Sequence, residues 1–399
     1  MFAVFKSLRK ATRRVAMLPV LALALAGCDP AALGNIGGAI GSSGPRIDAS
    51  APIPVALLVP RGSGQASDDL LARNLENAAR LAMRDLNGVQ IDLRVYGTAG
   101  NASTAASQAA QAVSDGARII LGPLYAEAAN AAGVAVAPRG VNVLAFSNNT
   151  TIAGGNVFVL GPTFQNTADR LVSYAASQGR DRIVVVHAQD VAGQLGRNAI
   201  QQAASRSGAT VVGSIDYPLS QQGVVAAIPQ IKAAINNNAG NAVFMTAPTA
   251  AGLPLLTQLL PEAGVSPTTT QFIGLTRWDI PPQTLDLPGV QGGWFALPDP
   301  ARSGAFRSQY EAAYGSAPHP LAGLAFDGIA AIGALASQGK SDALTTGALT
   351  QGAGFQGATG IFRLRGDGTN QRGLAVATVQ NNQVAIISPA PRGFGGAGF

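Results

Sequence analysis

Short apolar runs of strand length alternate with amphipathic segments of helix length over more than half of this 399-residue chain, and that alternation restricts the fold more than any other feature. Runs at 53–60 (IPVALLVP), 91–96, 117–121, 143–146 and 157–160 read as strands, and the segments 68–86, 102–113 and 126–136 between them read as helices. In the first of these helices Leu71, Leu75, Ala78, Ala79 and Ala82 recur at helical spacing, while Arg73, Glu76, Arg80 and Arg84 fall elsewhere on the wheel. A second series follows: helix 166–177, strand 182–187, helix 193–205, strand 210–217, helix 224–234, strand 242–245, helix 251–263 and strand 271–275. Strands separated by helix-length crossovers pair in parallel, and right-handed connections place helices on both faces of each sheet. The expected class is therefore α/β, with two doubly wound parallel-sheet lobes whose ligands collect at the carboxyl ends of the strands.

The C-terminal third breaks the rhythm. A strand at 294–298 ends in Pro298-Asp299-Pro300, helices follow at 305–314 and 321–336, and runs at 360–364, 373–379 and 383–387 read as a small antiparallel finish. The chain is expected to return to the first lobe near Pro298 and to cross again between 338 and 355, so that three crossings form a hinge. Lobe 1 is then 52–160 with 298–350, lobe 2 is 161–297 with 351–388, and the low-complexity stretch 389–399 is a mobile tail.

The N-terminus carries different information. Lys6, Arg9, Lys10, Arg13 and Arg14 precede an apolar run from Val15 to Ala26, which ends in Leu25-Ala26-Gly27-Cys28 and the only cysteine. This resembles a bacterial lipoprotein signal: residues 1–27 are removed and Cys28 is lipidated, with several acyl chains holding the protein on a membrane. Residues 28–51, rich in Gly, Ser and Ala, then form a flexible tether. The chain has 27 basic and 21 acidic residues, but the leader holds five of the bases and no acid, leaving 22 against 21. That near-neutral balance gives no electrostatic footprint for nucleic acid. Once Cys28 is lipidated there is no thiol for a disulfide, a nucleophile or a metal site.

Catalytic groups are not evident. The two histidines, His187 and His319, have no nucleophile or acid partner in sequence, the Gly-rich Arg61-Gly62-Ser63-Gly64 lacks phosphate-loop spacing, and no His/Asp/Glu cluster has metal spacing. No enzyme activity, metal or cofactor is expected.

Several local patterns in register carry a resemblance. Gly122-Pro123-Leu124 follows the third strand, Ala145-Phe146-Ser147-Asn148-Asn149-Thr150 ends the fourth, and Asp190-Val191-Ala192-Gly193 follows the first strand of the second series. With Gly264, Tyr314-Gly315, Pro318 and Phe326-Asp327-Gly328, they are similar to the type I periplasmic binding fold of leucine-binding-protein-like proteins over residues 52–388. In amino-acid-binding members, hydroxyls and backbone N–H groups on the first lobe hold the carboxylate, an acid on the second holds the ammonium, and aromatics close over the ligand.

That resemblance implies a cleft lined by Tyr125, Ser147, Asn148, Asn149, Thr150, Thr276, Arg277, Trp278 and Asp279. The clamp departs from the pattern: Tyr125-Ala126-Glu127-Ala128 stands where serines are usual, Ala192 and Pro248 where aromatics are, and Thr276 where the acid is. Asp279 is close enough in sequence to serve as the ammonium partner. Arg277 can equally meet an anion with Trp278 stacked on it and Thr276 supplying a hydroxyl, or Trp278 is a hydrophobic anchor beside a surface pair Arg277–Asp279. Asn148-Asn149 has turn chemistry as its other reading.

Two functions fit such a lipoprotein on the periplasmic side of the envelope. The weakened clamp favours a resemblance to penicillin-binding-protein activators, whose partner is a peptidoglycan synthase. The alternative is the substrate-binding component of an ABC importer for amino acids or similar small polar solutes, with a permease as partner. Asp29, directly after the lipidated cysteine, resembles an inner-membrane retention signal and suits the permease.

Overall fold

Lobe 1 is built around β1 (Ile53–Val59), whose central residues Val55 to Val59 are fully buried because both faces of the strand are covered. Side chains alternate across the sheet. Val55, Leu57 and Val59 join Leu71, Leu75 and Ala78 of α1 (Ala66–Arg84) in one core. Ala56 and Leu58 point the other way, to alanines of α2 (Ala102–Ser114) and α3 (Ala126–Val136). The remaining strands are β2 (Ile91–Gly97), β3 (Ile119–Leu121), β4 (Asn142–Ala145) and β5 (Val157–Val159), giving a parallel sheet of order β2-β1-β3-β4-β5. The computed structural model describes residues 44–395, so the predicted leader, lipidation at Cys28, Asp29 and most of the tether lie outside the described residues.

Lobe 2 repeats this order. After α4 (Phe164–Ser177) come β6 (Arg182–Ala188), α5 (Val191–Ser207), β7 (Thr210–Tyr217), α6 (Gln221–Asn237), β8 (Ala242–Met245), α7 (Gly252–Glu262), β9 (Gln271–Gly274) and β10 (Trp294–Pro298). Strands β7-β6-β8-β9-β10 reproduce the arrangement of lobe 1. Helix starts are fixed by side-chain caps: Thr163 and Asn166 form a capping box on α4, Asp190 caps α5, and Ser220 caps α6.

The chain then returns to lobe 1. In α8 (Pro300–Tyr314) Phe306 and Tyr310 enter the lobe 1 core, as does much of α9 (Gly323–Ala336) and Leu349 of α10 (Thr346–Leu349). A three-stranded antiparallel sheet follows, β11 (Phe355–Gly357), β12 (Gly360–Leu364) and β13 (Asn370–Arg372). Finally β14 (Leu374–Gln380) and β15 (Gln383–Ser388) add an antiparallel edge to the lobe 2 sheet, making it seven-stranded.

Three crossings lie side by side and are tied together. Arg372 donates through Nε to the Leu160 carbonyl at 3.0 Å and pairs through Nη1 with Asp327 at 2.8 Å. Asp327 also accepts from the Ala358 N–H at 2.7 Å. Asn370 donates to the carbonyls of Val159 and Gly161, both at 2.8 Å, and the Asp299 N–H donates to Thr359 at 3.0 Å. The crossings leave the carboxyl ends of β5 and β10, which run parallel to their neighbours β4 and β9. The strand-end face of each lobe therefore adjoins the hinge.

Three predicted boundaries move. The return to lobe 2 falls at Gly373, not between 338 and 355, because Phe355, Phe362 and Leu364 bury their side chains in the lobe 1 core, whereas Leu374 pairs with Pro298. Residues assigned to lobe 2 from 351 to 372 thus belong with lobe 1 and the hinge. The tether is docked from Gly44 onward: Ile47 is 7% exposed in the lobe 1 core, and its N–H donates to Ser341 at 2.8 Å. The tail, expected to be mobile from 389, makes contacts as far as Phe394; Arg170 holds the Pro389 carbonyl at 3.2 Å, and Arg363 stacks on Phe394 with 4.5 Å to the ring centre. This stretch leads from the lobe 2 edge strand β15 back to the hinge sheet, so the chain crosses a fourth time.

Candidate ligand cleft at the strand-end faces

In both lobes the strand order reverses beside the first strand, between β1 and β3 and between β6 and β8, which is where open α/β sheets present a crevice. On lobe 1 the loops after β1, β3 and β4 form that rim. Tyr125, at the start of α3, is 41% exposed and donates its hydroxyl to Asp68 of α1 at 2.6 Å, closing the loop after β3 onto the helix after β1. The hydrogen bond to Asp68, with burial second, pushes the Tyr125 phenol up to about 12.

The loop after β4 divides into a buried root and an exposed tip. Ser147 is buried, and its hydroxyl accepts the Asn149 N–H at 3.1 Å, so it shapes the turn. Asn149 in turn accepts from the Thr151 N–H at 2.9 Å and from the Thr151 hydroxyl at 2.8 Å. Its carboxamide oxygen is thus engaged in turn chemistry, the second of the two readings of Asn148-Asn149. Asn148, Asn149 and Thr150 are all exposed. Gly161 passes so close beneath that a Cβ would lie 2.5 Å from the Ser147 carbonyl, which is why the hinge begins with a residue lacking a side chain.

On lobe 2, Thr276 donates to the Ala247 carbonyl at 3.1 Å and joins the loops after β8 and β9. Arg277 and Asp279 form a bidentate pair, with Nε to Oδ1 at 2.9 Å and a second contact from Nη2 to Oδ2. Their side chains are 39% and 16% exposed, so both charge signs stand at the rim.

Trp278 is the correction among the expected cleft residues. It is fully buried in the lobe 2 core and stacks on Phe295 with ring centres 6.0 Å apart. A Cβ on Gly274 would sit 2.1 Å from its Nε1, and one on Gly293 would sit 2.2 Å from Cζ3, so two glycines hollow out its seat. It anchors the loop that displays Arg277 and Asp279 and does not stack on a ligand.

Reasoning from the sequence missed Asp68, the partner of Tyr125, because a first-turn aspartate reads as favourable helix-dipole chemistry and nothing more. It also missed Thr246 at the end of β8, whose hydroxyl is buried beside the reversal point with no hydrogen-bond partner among the described residues. His187 is buried with Nδ1 3.1 Å from the Ala188 carbonyl, and His319 accepts the Leu321 N–H at 3.2 Å; both serve the fold.

With this geometry in hand, comparison with known proteins becomes informative. The sequence profile of the family described as periplasmic binding protein matches residues 52–383. The chain belongs to that family. A Rhodospirillum rubrum protein assigned to branched-chain amino acid ABC transport superposes with a TM-score of 0.71 at 19% identity, covering 84% of this chain and 100% of its own. A branched-chain amino acid substrate-binding protein of Streptococcus pneumoniae, in complex with isoleucine, gives 0.54 at 16% identity, covering 86% and 100%. A solute-binding protein of R. palustris, in complex with benzoate, gives 0.51 at 16% identity, covering 86% and 98%. At these identities the shared property is the type I fold. No curated protein sequence matches this one significantly.

Proposed function

We propose that this periplasmic binding protein is the solute receptor of an ABC importer and takes an amino-acid-like small polar solute. Membership of the family supports this reading over the penicillin-binding-protein activator that the weakened clamp first favoured, since the matched proteins described above are transport receptors or solute-binding proteins. The observation that carries the ligand class is the Arg277–Asp279 pair on the lobe 2 rim. A guanidinium complements a carboxylate and a carboxylate complements an ammonium, so the pair offers partners to both halves of a zwitterion. Across the hinge, Asn148, Asn149 and Thr150 supply exposed amide and hydroxyl groups. Closure about the hinge would bring the two rims onto one solute, and the closed form is what a permease reads. Under this reading the protein performs no chemistry, and the lipid on Cys28 keeps it beside the membrane.

Calorimetric titration with a panel of amino acids and with benzoate tests the proposal. The expected result is saturable binding of an amino acid that weakens at least tenfold in Asp279→Asn, a hydrogen bond to a charged group being worth about 1.5–3 kcal/mol. Binding of benzoate alone would replace the zwitterion by a simple acid. No binding by any member, together with direct association with a peptidoglycan synthase, would overturn the receptor reading.

A further inference from the structure

The geometry points to a second binding site, within lobe 2 and apart from the rim just described, for a small monocarboxylate with an apolar body. Edge strand β7 ends at Tyr217, and the chain turns through Pro218, Leu219 and Ser220 into α6, whose first turn lies beside that of α7. Between the two helix starts is a cavity of ≈ 230 Å³ lined by Tyr217, Leu219, Gln221, Val224, Gly252 and Leu255, among others.

Two independent observations mark it as a ligand site. The first is Tyr217, which is 0% exposed and whose hydroxyl has no hydrogen-bond partner among the described residues. Buried polar groups are normally paired, and an orphaned one asks for an explanation. The Tyr217 oxygen sits 2.6 Å from where a Cβ on Gly252 would be, so it lies against the cavity wall at the start of α7, and any larger residue there would close it off. Burial, with the charge of Asp190 second, pushes this phenol up to about 12, so it is a proton donor at every physiological pH.

The second is the convergence of two helix N-termini from helices of 17 and 11 residues. Ser220 satisfies the Gly223 N–H of α6 at 3.0 Å, but Gln221 and Gly252 occupy the first positions of their helices, where N–H groups find no carbonyl within the helix. Aligned peptide dipoles make such ends favourable for anions. No basic or acidic side chain is among the lining residues. Asp190, whose charge reaches Tyr217, is engaged as the cap of α5, 2.6 Å from the Gly193 N–H, and the neighbouring Asp216 accepts from Gln189 at 2.9 Å. Leu219, Val224 and Leu255 supply apolar walls, which suit a branched alkyl body better than water or inorganic anions.

Isovalerate is the probe, with isovaleramide as its neutral isostere, read by amide chemical shifts and calorimetry on the full chain. Saturable binding of isovalerate that shifts the Gln221 and Gly252 amides is expected, with isovaleramide at least tenfold weaker. Tyr217→Phe should weaken isovalerate about tenfold or more. Its melting temperature should not fall, because the hydroxyl removed has no partner to lose. Asn149→Ala and Asp279→Asn should leave isovalerate binding unchanged, which separates this site from the cleft. The proposal is overturned by absence of saturable binding, by equal affinity in Tyr217→Phe, by equal affinity for the amide, or by loss of binding in either rim variant.

Discussion

Replacing Arg372 by Met should cost the protein about 3–5 kcal/mol at neutral pH, the range for breaking a buried ion pair by removing one partner. The methionine keeps an apolar stem and loses the guanidinium, which also lies over Phe362 with 5.2 Å to the ring centre, so the loss is chiefly electrostatic. Asp327, fully buried, would retain the Ala358 N–H at 2.7 Å and lose its guanidinium, and the Leu160 carbonyl would lose its guanidinium donor. Burial already holds the Asp327 carboxyl above its ordinary value, with Arg372 opposing the rise. A carboxyl raised in the native state binds a proton that the unfolded chain has released, so its stabilising contribution is complete below the unfolded pKa near 3.8–3.9 and is lost as pH rises through the folded value. Without Arg372 the folded value climbs further and that loss extends to higher pH. The gap between wild type and variant should therefore narrow as pH falls from 7 towards 4. Urea denaturation followed by far-UV circular dichroism at several pH values measures it. Fluorescence is less suitable because Trp278 and Trp294 are both in lobe 2. A loss below about 1 kcal/mol at pH 7, or one independent of pH, would refute the reasoning. The double variant Asp327→Leu with Arg372→Met should recover most of the stability, since replacing a buried pair by apolar residues is often neutral. It should nonetheless widen the range of lobe orientations seen by small-angle X-ray scattering, because the Arg372 tie between the first and third crossings is gone while the Asn370 bonds to Val159 and Gly161 remain.

Trp278→Ala should destabilise by about 3–5 kcal/mol through the cavity it leaves, whereas Trp278→Phe should cost less and forfeit no hydrogen bond, as the indole N–H has none among the described residues; denaturation midpoints distinguish the two. Spectrophotometric titration should find the Tyr125 and Tyr217 phenols still protonated well above pH 10 and ionising near 12, with Tyr125→Phe removing one of the late steps; stability drawn from both phenols persists below pH 10 and is lost as pH rises through about 12. Cys28→Ser should release the protein from membranes on fractionation, and continued attachment would contradict the lipoprotein signal.

Much of the fold was legible because both of its periods are local. The alternation of apolar runs and amphipathic segments located the ten parallel-sheet strands and most helices, since a strand buried on both faces must be continuously apolar and a helix covering it must carry a stripe. The hinge sheet was less legible. Strands β11 and β13 are three residues each, and their pairing with β12 joins segments too short to show a period. The loops at the strand ends were legible as positions, and the directions of their side chains were not. Thr276, Arg277 and Asp279 stand on the rim, yet Trp278 between them turns fully inward. Adjacent residues of a loop have no fixed side-chain period, and the direction was decided by Gly274 and Gly293, one of them fifteen residues downstream.

The sequence by itself determined that this is an α/β chain of two similar lobes, because hydrophobic periodicity acts at short range. Only the tertiary structure decided where the chain finally leaves lobe 1, that the last turns of the tether and tail are docked, and which polar groups are committed to partners. Those outcomes depend on contacts such as Arg372 with Leu160, 212 residues apart, or on a missing partner such as that of Tyr217, and neither leaves a local trace.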